Sequence, residues 1–119
     1  MCIYIDDCLG DLRFNKHLYA LFSRSRNLGI NVFLTSQVLR GASSTIRKQI
    51  DLLICFRLNQ TEYMAVREEV IGADVSPEEF DELYKRGTAG AHDFLVIKLK
   101  ERDSTMKFFR NYTHRLVIA

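Results

Sequence analysis

A chain of 119 residues, 47% hydrophobic and 27% charged, holds enough apolar material for one folded core and is not disordered by composition. A net charge of +2 is too small to announce a strongly basic nucleic-acid binder. Cys2, Cys8 and Cys55 form no C-x-x-C pair, which argues against a disulfide framework or zinc ribbon and points to a reduced, intracellular compartment, while no apolar run reaches the roughly eighteen residues of a membrane span and no signal peptide is visible.

Cys2-Ile3-Tyr4-Ile5-Asp6-Asp7 reads as a short apolar strand running into two carboxylates. Leu18, Leu21 and Phe22 then recur at helical spacing, which predicts an amphipathic helix over Asn15 to Asn27, with Asn15 as N-cap and Gly29 as the stop. Ile30 to Leu34 is a second strand, ending in Thr35-Ser36-Gln37. Val38 to Ser44 reads as a loop, followed by a short helix from Ser44 or Thr45 through Gln49. Leu52 to Leu58 is a third strand whose apolar run predicts burial on both faces, as parallel strands show. Gln60 to Ile71 carries helical spacing up to Gly72, and Ser76-Pro77-Glu78-Glu79 carries the signature of a capped helix start. Phe94 to Leu99 and Lys107 to Phe109 or beyond are two strands joined near Ser104, too close for a crossover helix and therefore an antiparallel hairpin. The alternation predicts an α/β domain spanning residues 1–119, with a mainly parallel sheet flanked by helices.

The chemistry gathers at one predicted rim. Ligands of open α/β sheets bind at the carboxyl ends of the strands. A carboxylate held there can hold Mg²⁺, an ion that keeps much of its water and brings phosphates with it. A second acid can polarise an attacking water, and Asp6 and Asp7 point in different directions and can divide these jobs. An amide at the next strand end, Gln37, can bond both a phosphate oxygen and a water. Arg24, Arg26, Arg40 and Arg47 are the guanidinium groups that could stabilise a transferring phosphoryl group. Each of these residues also has a purely structural explanation: solvated loop acids, a polar strand exit, a charged helix face. His17, His92 and His114 are scattered and carry no site. The tail interleaves Lys98, Lys107, Phe108, Phe109, Arg110, Tyr112 and Arg115, a pattern that can stack bases, although one wet face of an edge hairpin explains it as well.

Taken together, these segments resemble one family. Ile3 to Asp7 resembles the Walker B strand of P-loop NTPases, and Arg24 to Gln37 resembles the arginine-bearing helix end, strand and sensor glutamine of the FtsK–HerA superfamily. Thr45 to Asp51 is similar to the poxvirus-type genome-packaging ATPase branch. The resemblance implies a RecA-like core and an ATP-driven motor that pumps double-stranded DNA into a capsid. Such a motor acts as a homo-oligomeric ring, in contact with capsid or portal components, in the cytoplasm of an infected host cell or in the virion. It implies ATP and Mg²⁺ as cofactors, with Asp6 on Mg²⁺, Asp7 activating water and Gln37 sensing the γ-phosphate. Arg47, or else Arg26 or Arg24, would reach the next subunit's site. The chain contains no G-x-x-x-x-G-K-[ST] loop to cradle the phosphates. The expectation is therefore the C-terminal half of an ATPase core, without its P-loop unit and without independent hydrolysis. Two other readings stay open: a non-catalytic α/β assembly protein that has lost nucleotide binding, and a receiver-like signalling module, for which Asp51 stands before its strand rather than after it.

Overall fold

The computed structural model describes residues 1–6, 12–39 and 44–117. Two compact units follow one another along the chain, Met1–Ile50 and Asp51–Ala119.

The first unit is a strand–helix–strand unit plus one helical turn: β1 (Cys2–Asp6), α1 (Leu12–Leu28), β2 (Asn31–Thr35) and α2 (Ser44–Arg47). Both strands alternate between exposed and half-buried residues, so Ile3, Ile5, Val32 and Leu34 share the covered face. Helix α1 brings Leu18 to that face and α2 brings Ile46, and both are buried against Ile5, Phe22 and Leu34. The strands pair in parallel, Cys2 opposite Asn31 and Asp6 opposite Thr35. A parallel pair needs a crossover between its strands, and α1 supplies it. Gly29 ends α1 as expected: at φ +65° it takes a conformation costly for other residues, and its N–H and that of Ile30 close back on the Arg26 and Ser25 carbonyls. Asn15 is not the N-cap, because the helix already runs from Leu12 and contains it.

The second unit contains β3 (Leu52–Cys55), α3 (Gln60–Val70), α4 (Pro77–Gly87), β4 (Leu95–Lys98), a 3₁₀ turn (Ser104–Met106), β5 (Phe108–Arg110) and β6 (His114–Leu116). Its four strands form one antiparallel sheet in the order β3-β4-β5-β6. The architecture is thus α/β, but the expected mainly parallel sheet is corrected: one pairing is parallel, and β3 pairs antiparallel with β4 instead of joining β1 and β2. The connection explains this. One crossover helix returns a chain to run parallel to the strand it left, whereas the two successive helices α3 and α4 reverse it once more. Burial on both faces belongs to the inner strand β4, where Leu95, Val96 and Ile97 are all buried. Strand β3 lies at the edge, and its Leu52 and Ile54 are each 40% exposed. The expected hairpin of β4 and β5 is present, and β6, absent from the sequence reading, extends it.

Helix starts follow local chemistry. The Asn59 side chain accepts the Glu62 N–H at 2.9 Å to start α3. At α4, Ser76 and Glu79 form a reciprocal capping box with Pro77 at the first turn. The helices pack through Tyr63, Phe80 and Tyr84 and through Arg67, whose guanidinium meets Asp81 at 2.8 Å. The Tyr63 hydroxyl donates to the same carboxylate. Gly87 closes α4 directly over Leu95; a β-carbon there would stand 2.7 Å from the Leu95 side chain.

Candidate functional site

The carboxyl ends of β1 and β2 form a rim, and the register sets Asp6 directly opposite Thr35. The Thr35 hydroxyl donates to the Asp6 carboxylate. Both residues are exposed, so the pair presents a hydrogen-bonded anion to solvent rather than a buried charge. The chain bends immediately afterwards. The Ser36 hydroxyl donates to the Val38 carbonyl and accepts the Val38 N–H, each at 3.1 Å. That bend closes around Gln37, which is exposed two residues beyond Thr35.

The arginines are distributed differently. Because α1 runs back between two parallel strands, its last turn lies at the start of β2. Arg24 and Arg26 therefore sit at the opposite end of the strands, roughly 13 Å along β2 from the rim. Arg26 is placed to complement the negative end of the α1 dipole. Arg47 is the last residue of α2 and half-buried, its turn anchored by Ile46 in the core and by Gln49 Nε2 reaching Ser23 Oγ at 3.3 Å. The structure thus joins Asp6 to Thr35 at one rim, with Gln37 two residues beyond Thr35, and does not bring Arg24 or Arg26 of the same chain to it. Asp7 and Arg40 lie outside the described residues.

Thr35 is the participant that the sequence alone did not single out. Its role follows from register, since the residue facing a strand-end acid across a parallel pair is fixed only once the pairing is known. Among the described residues, no three His, Cys, Asp or Glu side chains converge as a metal site. Mg²⁺ does not need such a cage, because one or two carboxylates, water and substrate phosphates suffice. The carboxylate–hydroxyl pair suits an ion held largely through its water.

Other polar groups have structural work. The Asp81 carboxyl is held below its usual range, first by the Arg67 hydrogen bond and then by Tyr63. The Tyr63 phenol is pushed up to about 12, first by burial and then by Asp81. Burial also pushes the Cys55 thiol up to about 12, leaving it protonated and unreactive. Asp93 is held low by the Asn111 amide and the Gly90 N–H. Among the described residues, no helix is long and apolar enough to cross a membrane. Comparison with protein-family models, curated proteins and solved structures returned no match.

Proposed function

We propose that the first unit contributes the Walker B strand and sensor edge of a RecA-like ATPase, in an ATP-driven machine that moves double-stranded DNA in the manner of FtsK–HerA packaging motors. The observation that carries this reading is the parallel β1–β2 pair with Asp6 bonded to Thr35 and Gln37 at the next bend. In this reading Asp6 orients the water shell of a Mg²⁺–triphosphate, and Thr35 keeps that carboxylate from rotating away. Gln37 contacts the terminal phosphate. Arg47, on its anchored turn, and the arginines at the far end of α1 serve contacts with a neighbouring subunit of a ring. Asp7, next in sequence, is the water-activating acid.

A fluorescent ATP analogue tests the reading by equilibrium titration. The chain is expected to bind it weakly and only with Mg²⁺, and Asp6→Asn is expected to abolish the Mg²⁺-dependent part. Phosphate release is expected to stay at background, because no phosphate loop is present in this sequence. Absence of binding, or binding that ignores both Mg²⁺ and Asp6→Asn, would overturn it.

A further inference from the structure

We infer that the aromatic edge of the second unit's sheet, from Phe56 across Phe94 to Tyr112 at the tip of the β5–β6 hairpin, binds single-stranded nucleic acid by base stacking. The register puts Leu52, Ile54, Val96, Lys98, Phe109 and Arg115 on one face. Lys98 Nζ lies 4.8 Å from the Phe109 ring centroid on this face. Three aromatic rings line up nearby. Phe56 packs on Phe94 at 5.3 Å, and Phe94 meets Tyr112 edge-on at 5.4 Å. The two outer rings remain open to solvent, Phe56 at 56% and Tyr112 at 54%.

The tip is built to hold its ring. Asn111 and Tyr112 both take positive φ, +53° and +64°, and the Thr113 N–H closes the turn on the Arg110 carbonyl. Glycine is the preferred second residue of such a hairpin turn, so a tyrosine here sits in a conformation that disfavours a bulky side chain. The surroundings over-determine it. The Asn111 side chain donates to Asp93 at 2.6 Å and accepts the Phe94 N–H at 2.9 Å, while its own N–H reaches the Phe94 carbonyl at 3.0 Å. Phe56 is steadied from below by the Tyr84 hydroxyl, which accepts the Leu58 N–H at 2.8 Å and donates to the Phe56 carbonyl. Strain held in place at an exposed aromatic is a pointer to function.

Charge supports the same ligand. Strands β3 to β6 contain Lys98, Arg110, His114 and Arg115 and no acid. Most acids of this unit lie on the helices, among them Glu62, Glu68, Glu69, Glu78, Asp81 and Glu82, while Asp93 sits at the base of the hairpin, bonded to Asn111 and offsetting part of the charge of Arg110 and His114. Beside the same hairpin, Arg86, Ala89, Arg110, His114, Arg115 and Leu116 line a shallow hollow of about 360 Å³. Rings for bases and a basic hollow for the backbone, at one hairpin, match an unpaired strand. A duplex keeps its base faces stacked inside and cannot use the rings.

The inference does not depend on the nucleotide site, so its test omits nucleotide and Mg²⁺. Fluorescence anisotropy with a labelled oligothymidylate of roughly ten nucleotides at low salt is expected to show saturable binding that weakens as salt rises. Tyr112→Gly replaces the strained residue by the one its turn prefers. It is expected to keep or raise the melting temperature while weakening binding about 5- to 150-fold, the loss of one stacked base. Phe56→Ala, at an exposed ring, is expected to weaken binding similarly and decides the matter should Tyr112→Gly fail to fold. No saturable binding by the wild-type chain, equal affinity for the matching duplex, or full affinity in the folded ring variants would overturn it.

Discussion

The two units, Met1–Ile50 and Asp51–Ala119, put their residues to very different use. In the second, twelve apolar residues from Cys55 to Leu116 are buried, and the inner strand β4 is covered on both faces. In the first, Leu18 and Ile46 are the fully buried pair among the described residues. Its two strands leave one face open, where Tyr4 is 67% and Phe33 54% exposed. Two-stranded sheets are marginal by themselves, and parallel ones are ordinarily covered on both faces. The difference teaches where each kind of work is done. The second unit carries a self-consistent core, whereas the described residues of the first hold a polar rim over one small buried cluster.

The largest expected effects break this contrast at its cores. Phe80→Ala, which empties a fully buried position beside Tyr63 and Tyr84, is expected to cost about 3–5 kcal/mol in urea unfolding. Ile46→Ala is expected to fall near 2 kcal/mol, the low end for such truncations, since the cluster around it among the described residues is small. Hydrogen exchange sharpens the point: β4 amides are expected to outlast those of β1 and β2 by orders of magnitude. Equal protection of the two sheets would contradict the contrast.

A smaller effect concerns pH. The Asp81 carboxyl is held low in the folded chain by Arg67 and Tyr63. Its contribution is therefore present above the ordinary carboxylate range and is lost as pH falls through the lowered folded value. Asp81→Asn is expected to be less stable than wild type at neutral pH, with the gap closing on acidification. A gap that stays constant down to strongly acid pH would show that the Arg67–Asp81–Tyr63 cluster is not pH-linked. Because the Asp81 side chain is 46% exposed, solvent screening keeps this effect well below those of the core truncations.

Local chemistry was legible in the sequence, and non-local pairing was not. The capping box at Ser76 and the stop at Gly29 depend on residues within one turn, and both read correctly. The third strand failed because its solvent-facing residues, Leu52 and Ile54, are apolar, which hides the period of two and mimics a parallel strand. Its partner is fixed only by the two intervening helices. Strand β6 is short, and its His114-Arg115-Leu116 carries too little β signal to stand out. At the candidate site, the strand ends alone point to Asp6 and Gln37 as candidates. Thr35 required the register, and the position of Arg26 required the direction of α1. Tyr112 occupies a place where glycine would have announced a turn, so the hairpin tip stayed hidden until φ was known.

The rim of β1 and β2 is tested most directly by amide NMR with paramagnetic Mn²⁺ in place of Mg²⁺, titrated together with ATP. Selective broadening centred on Asp6, Thr35 and Gln37, and lost in Asp6→Asn, is the outcome expected of a metal–nucleotide edge. Broadening that spares those three amides, or that persists unchanged in Asp6→Asn, would contradict it.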